Sequence, residues 1–291
     1  MTRQYLVLAI GVVSVSTAAV FIRLADAPSL VIAAYRLCLA SLIIVPVAWA
    51  RSSDELRRLS RQNILLAMLS GAFLALHFAL WIASLSYTSV ATSVVLVTAN
   101  PIFVALASYF LFHERLGKQA ILGIAISLIG SVVIGYGNWR IGPSPLFGGI
   151  LALLGALAMA SYLLIGRSLR RSIGLLGYIA LVYSSAAIFL LIATVALGYP
   201  LVGYSTTTYV MLALLAVVPQ LIGHSSLNWS LRFVPVTFIT IAVLGEPVGA
   251  TALAFLILNE APTLSEIGGG ILILAGIFIA FRKSETLLGR R

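Results

Sequence analysis

Ten runs of mostly apolar residues, each about 20 residues long, take up nearly all of this chain, at 4–23, 28–50, 62–84, 90–112, 118–137, 146–166, 174–198, 207–229, 235–258 and 264–281. A helix of that length crosses about 30 Å of hydrocarbon. The breaks carry turn chemistry: Asp26-Ala27-Pro28, Gly142-Pro143-Ser144-Pro145, Gly198-Tyr199-Pro200, and Pro235 at a helix start. Thr263 to Glu266 fits a capping box that opens the tenth helix. Every loop is short, and none has room for an appended soluble domain. With 61% hydrophobic and 9% charged residues, against about 25% charged in a soluble domain, the chain has no polar coat for water. The fold class expected is an all-α integral membrane protein with ten transmembrane helices, multi-pass in the inner cell membrane. The single cysteine, Cys38, excludes an intrachain disulfide and a cysteine-based metal site.

A net charge of +10 raises the question of nucleic acid, but the basic residues sit in short loops between apolar runs, which is a signature of membrane orientation. With the N-terminus inside, one face holds Arg3, Arg51, Arg57, Arg58, Arg61, Arg115, Lys118, Arg167, Arg170, Arg171, Arg232, Arg282, Lys283, Arg290 and Arg291. The other holds Arg23 and Arg140, and Arg36 lies within a span. Fifteen against two assigns both termini to the cytoplasm. The first run follows Arg3 as a signal peptide would. It is longer than a signal core of about 7–15 residues, and its removal would break the symmetry described next. It is therefore kept as the first helix.

The stretch from His77 to Gly130 recurs from His224 onwards. Asn100-Pro101 matches Glu246-Pro247, and His113-Glu114 matches Asn259-Glu260. Gly123 matches Gly269, and Gly130 matches Gly276. His77 aligns with His224 after a one-residue gap. Matching leucines mean little in apolar segments, whereas Pro, Glu and Gly at fixed spacing mark a duplication. Two units follow, 1–140 with helices 1–5 and 141–291 with helices 6–10, joined in one structural body. Five helices is an odd number, so the second unit enters the membrane inverted. Inverted repeats about a shared midplane site serve alternating access in transporters.

Asn100-Pro101-Ile102-Phe103 with His113-Glu114-Arg115-Leu116, Gly123 and Gly130, echoed by Glu246-Pro247, Asn259-Glu260, Gly269 and Gly276, resembles the drug/metabolite transporter superfamily and, within it, the EamA-type ten-helix exporters. Arg36, in AAYRLCLAS, also looks like a recurring family position. The resemblance covers essentially the whole chain and implies transport of small metabolites. Family members move amino acids, sugars and nucleotide-sugars, so it is nearly silent on substrate. Asn100, opposite Glu246 in the other repeat, departs from the family pattern.

Polar side chains inside a span are costly and face a partner or water. His77, Trp81 and Ser84 share one face of the third helix. They either line a cavity or bond a neighbouring helix. Gln220, His224 and Asn228 form the counterpart stripe on the eighth, after Pro219, which permits a kink. They form either a cavity wall or an interhelical ladder. Asn100 and Glu246 fall near mid-span beside prolines, where broken helices build transport sites. Glu246 has three readings: a structural pair or hinge, a ligand contact, or a proton-coupling group. Arg36 either binds a substrate carboxylate or phosphate or clamps backbone carbonyls or Glu246. Ser14, Thr17 and Tyr162 are further cavity candidates, with close helix packing as the alternative. The candidate substrate-binding residues are thus Arg36, His77, Trp81, Asn100, Tyr162, His224, Asn228 and Glu246. Glu114 and Glu260 are assigned to helix N-terminal amides, and the glycines of the fifth and tenth helices to close approach.

No metal and no cofactor are expected, because two histidines without nearby Cys, Asp or Glu make a poor site. The absence of a Walker-type GxxxxGK[ST] run excludes a primary pump. An enzyme would need clustered acid, base or metal groups, and this chain offers scattered ones. The expected partners are a small-molecule substrate and the bilayer, with no nucleic acid. A homodimer stays open. The function expected is secondary export of small metabolites, amino acids first and aromatic or hydrophobic ones among them. Nucleotide-sugar transport and lipid-linked flipping are the alternatives.

Overall fold

A computed structural model describes residues 2–112, 117–137, 142–258 and 261–281. The described residues contain ten helices long and apolar enough to cross a membrane: α1 (Arg3–Leu24), α2 (Ser29–Arg57), α3 (Arg61–Ser84), α4 (Val90–Phe110), α5 (Lys118–Tyr136), α6 (Pro145–Leu169), α7 (Leu175–Ala196), α8 (Thr206–Ser230), α9 (Val236–Ile257) and α10 (Leu264–Phe281). The protein is an all-helical, multi-pass membrane protein. Its outward-facing leucines, isoleucines and phenylalanines, such as Leu42, Phe110, Leu256 and Phe278, are exposed where acyl chains replace water.

Serine hydroxyls start three of the helices. Ser60, Ser89 and Ser205 each accept the amide N–H three residues on, satisfying a donor that the helix leaves unpaired. The capping box opening α10 is present in both directions: Thr263 N–H donates to Glu266 Oε2 at 2.7 Å, and Glu266 N–H donates to Thr263 Oγ1 at 3.2 Å. The largest departure from the expected spans is in α2, which continues past residue 50 to Arg57 through a bend at Ser52 (φ −143°, ψ 22°). Its last turns are polar and carry Arg51, Asp54, Glu55 and Arg57. A helix leaving hydrocarbon keeps its internal hydrogen bonds, so loss of hydropathy does not end it.

The packing is that of two inverted repeats. Helix α3 packs on α6 and α7, and its counterpart α8 packs on α1 and α2. Helices α5 and α10 pack on each other along their length. A β-carbon at Gly123 would lie 2.5 Å from the Gly276 carbonyl oxygen, and one at Gly130 would lie 2.5 Å from that of Gly269. Since Gly123 corresponds to Gly269 and Gly130 to Gly276, the contacts are crossed, as a two-fold axis between antiparallel helices requires. The glycines of α5 and α10 are thus used within the chain. The expected roles of His113, Glu114, Asn259 and Glu260 lie outside the described residues.

Four spans are interrupted among the described residues, the first of them α1, which consists of Thr2–Ser16 and Ala18–Leu24. Helix α4 consists of Val90–Val97 and Asn100–Phe112, and α9 of Val236–Val243 and Glu246–Leu258. Each break falls just before the Asn100-Pro101 or Glu246-Pro247 pair, because proline is suited to the first turn of a new helix and has no N–H to give to the preceding one. In α8, Ala216–His224 is π-helical around Pro219. Proline cannot donate to the carbonyl four residues back, and a wider turn absorbs the mismatch. The counterpart α3 has no proline and remains a regular α-helix.

Candidate functional site

The interruptions converge. A cavity at the centre of the bundle is lined by Val15 and Ala18 of α1, Arg36 of α2, His77 and Trp81 of α3, Val97, Thr98 and Asn100 of α4, Met159 of α6, His224 and Leu227 of α8, and Val243 and Glu246 of α9. Its free volume is about 20 Å³, smaller than any metabolite. The two repeats contribute equivalent positions: Asn100 and Glu246, Val97 and Val243, and His77 and His224, whose rings lie 6.4 Å apart. Asn100 and Glu246 each begin the second half of a broken helix, where the first amides of the new helix carry no intrahelical partner.

Arg36 is fully buried. Its Nε donates to Gln220 Oε1 at 2.9 Å, and its guanidinium lies 4.0 Å from the centre of the Phe78 ring, so a hydrogen bond and an aromatic face hold the charge from two sides. The hydrogen bond goes to the π-helical segment of α8 and not to Glu246. Tyr35 turns away, and its hydroxyl donates to the Leu201 carbonyl at 2.6 Å. His77 Nδ1 is 3.0 Å from the Gly155 carbonyl oxygen. A carbonyl can only accept, so Nδ1 carries the proton and fixes the ring against α6. Trp81 stacks on that ring with 5.9 Å between centroids and 15° between planes.

Several polar atoms around the cavity are buried without a partner: Arg36 Nη1, Trp81 Nε1, Asn100 Oδ1, His224 Nδ1 and, behind Arg36, Gln220 Nε2. A polar group buried in this way costs about 1–3 kcal/mol. Five of the nine such atoms among the described residues, the others being hydroxyls of Ser41, Thr88, Ser108 and Ser131, gather here, which makes this cavity the candidate ligand site.

Of the eight residues singled out in the sequence, the structure brings six to this cavity: Arg36, His77, Trp81, Asn100, His224 and Glu246. Tyr162 and Asn228 are bonded to each other one layer away. Tyr162 Oη donates to Asn228 Oδ1 at 2.6 Å, and Asn228 Nδ2 donates to Tyr183 Oη at 3.3 Å. The stripe on α8 therefore divides, with Gln220 clamping Arg36, His224 facing the cavity and Asn228 tying α8 to α6 and α7. Ser84 likewise bonds Ser93 at 2.6 Å, joining α3 to α4. Thr17 and Ser16 give their hydroxyls to carbonyls of their own helix, which opens α1 at Thr17.

The sequence reading missed Phe78, whose only sequence signal was its place beside His77. It also missed the Val97–Val243 pair, which the repeat register supplies once valines are taken seriously. The sequence reading did not foresee the burial of Arg170. Placed among the loop arginines by charge counting, it is only 2% exposed. Its Nε donates to the Asn228 carbonyl at 3.0 Å, and its Nη1 donates to the Ile173 carbonyl. These oxygens lie near chain reversals where helical partners run out, and a guanidinium supplies the missing donors. Beside it, Glu55 accepts the Gly174 N–H at the start of α7.

Comparison with known proteins agrees with this architecture. The model of the EamA-like transporter family matches residues 2–136 and 146–282. An uncharacterized transporter, YdfC, of Bacillus subtilis is 25% identical over 192 residues, which cover 66% of this chain and 62% of that protein's length. An uncharacterized transporter of Archaeoglobus fulgidus is 26% identical over 278 residues, 94% of both chains. A shorter match, 34% identical over 77 residues, covers 26% of this chain and 69% of a probable 4-amino-4-deoxy-L-arabinose-phosphoundecaprenol flippase subunit, ArnE, of Hamiltonella defensa. A solved crystal structure at 19% identity superposes with a TM-score of 0.79 over 99% of both chains, so the fold is shared. The chain belongs to the EamA-like transporter family.

Proposed function

We propose that this protein is a secondary exporter of zwitterionic amino acids, aromatic and hydrophobic ones included, working by alternating access at the central cavity. The observation that carries the reading is the set of unpartnered buried atoms around one cavity. Arg36 Nη1 and Trp81 Nε1 are donors suited to a carboxylate. Asn100 Oδ1 and the Glu246 carboxylate, on the repeat-related helices α4 and α9, are acceptors suited to an ammonium group. Trp81, His77 and Met159 offer apolar and aromatic surface to a side chain. At about 20 Å³ the cavity accommodates such a molecule only when the repeats part. The arginine-rich face is assigned to the cytoplasm together with both termini.

The name of the Hamiltonella relative favours a second reading, movement of a lipid-linked aminosugar. A single buried arginine is thin provision for a phosphate-bearing headgroup, and the cavity lies between helices rather than at the lipid. Counterflow in proteoliposomes separates the readings. Vesicles preloaded with unlabelled phenylalanine should accumulate labelled phenylalanine and should not accumulate labelled nucleotide-sugar. Uptake of nucleotide-sugar alone, or scrambling of a labelled undecaprenyl-phosphate aminosugar without amino-acid counterflow, would overturn the assignment.

A further inference from the structure

Gln220 stands apart from the other polar residues of α8. It is fully buried, and it is not among the residues that line the central cavity. Its amide is only half used. Oε1 accepts from Arg36 Nε at 2.9 Å, while Nε2 has no partner. A buried amide with one half unpaired costs stability that an apolar side chain of the same size would not. The half with a use is the one that meets Arg36.

What that oxygen does follows from its place and its charge. Arg36 has two restraints, the hydrogen bond at Nε and the Phe78 ring 4.0 Å from the guanidinium carbon. They leave Nη1, buried without a partner, as an open donor on a residue that lines the cavity. The acceptor is neutral. It directs the guanidinium without cancelling its charge, as a carboxylate in the same place would. The charge and the open donor are thereby kept for a ligand. Gln220 reaches Arg36 from the π-helical segment Ala216–His224. A π turn holds one residue more than an α turn, because its bonds span five residues instead of four. The widened turn lets α8 send Gln220 to α2 while His224, four residues on, lines the cavity.

We infer that Gln220 is a positioning residue for carboxylate recognition: it aims the Arg36 guanidinium at the central cavity, and so sets the preference for carboxylate-bearing ligands without touching them. This role rests on Arg36 being the partner of the substrate carboxylate, as in the proposed function.

The test compares the unaltered chain with Gln220→Met and Gln220→Glu, each as full-length protein in proteoliposomes, by phenylalanine counterflow. Unlabelled phenylalanine and phenethylamine, which lacks the carboxylate, serve as competitors. Methionine has the length of glutamine but no amide oxygen. Glutamate keeps the acceptor, and with it any merely structural hydrogen bond, but its charge takes up that of Arg36. In the unaltered chain phenylalanine should compete better than phenethylamine by about tenfold or more, the effect of one charged hydrogen bond. In both variants the KM for phenylalanine should rise about tenfold with the maximal rate unchanged. Competition by phenethylamine should stay as it was, so that the preference disappears. Gln220→Glu decides alone if Gln220→Met does not fold. A preference for phenylalanine that survives in either variant, or a loss that phenylalanine and phenethylamine share equally, would overturn the positioning role and leave the transport reading standing. Absence of phenylalanine counterflow in the unaltered chain would overturn both.

Discussion

Ser127 of α5 donates its hydroxyl to the Ile273 carbonyl of α10 at 3.2 Å, and the two residues, 146 positions apart, are each other's counterparts in the two repeats. Asn100 and Glu246 stand at the same separation and both line the cavity. Residues that meet their own counterparts mark a two-fold axis. It runs from the α5–α10 seam to the central cavity, and movement of one repeat against the other about it would open the site to one side and then the other.

The seam makes the first prediction. A β-carbon on Gly269 would lie 2.5 Å from both the Gly130 carbonyl oxygen and Ile134 Cγ1, whereas one on Gly268 meets nothing within 4 Å. Gly269→Ala should destabilise the protein by about 1–3 kcal/mol through overpacking. Gly268→Ala should be neutral or stabilising by up to about 1 kcal/mol, since alanine is the better helix former. Thermal unfolding in detergent compares the two neighbours directly.

Hydropathy and repeat register made most of this architecture legible, because both operate along the chain. Prolines at 101 and 247 located the helix breaks, and mid-span polarity located six of the eight cavity candidates. Tyr162 and Asn228 carried the same signal for a different reason: a hydrogen-bonded pair between helices is as polar in sequence as a cavity wall. The asymmetry between α3 and α8 was not legible either. Pro219 announced a kink, but nothing in one dimension says that a π-helix will absorb it and deliver Gln220 to Arg36. The burial of Arg170 was not legible because a loop arginine that turns inward to unpaired carbonyls has the composition of one that faces water.

The division of the α8 stripe gives a second prediction. Tyr162→Phe removes the donor to Asn228 Oδ1 and should cost about 1 kcal/mol of stability without changing the apparent substrate affinity. Thermal shift and transport KM are read on the same preparation. A large rise in KM with unchanged stability would place Tyr162 at the substrate.

Arg170→Ala strips donors from the Asn228 and Ile173 carbonyls. Two buried acceptors left unpaired cost about 1–3 kcal/mol each, so this variant should be among the least stable. Arg170→Lys should recover part of the loss, because a lysine reaches one oxygen but lacks the fork that reaches both. Equal stability of all three proteins would show that water replaces the guanidinium at no cost.

Glu246→Gln tests the acidic side of the cavity and the energy source together. If the carboxylate meets the substrate's ammonium group, its loss should raise KM about 10–100-fold, the effect of one charged hydrogen bond. The response to an imposed pH gradient should be unchanged. Transport that keeps its rate but no longer responds to the gradient would identify Glu246 as a proton-coupling group.

Orientation is checked separately. Reporter fusions after Arg58 and after Arg171 should read cytoplasmic, and one at Pro143 external. A cytoplasmic reading at Pro143 would contradict the charge-based assignment.

The central claim is that the unpartnered donors and acceptors around the cavity recognise both ends of a zwitterion. Competition in phenylalanine counterflow tests it most directly, with phenethylamine carrying only the ammonium group and hydrocinnamate only the carboxylate. Unlabelled phenylalanine and tyrosine should compete, and both half-ligands should be weaker by about tenfold or more, since each leaves one set of buried polar atoms unpaired. Equal competition by either half-ligand, or no phenylalanine counterflow at all, would contradict the account.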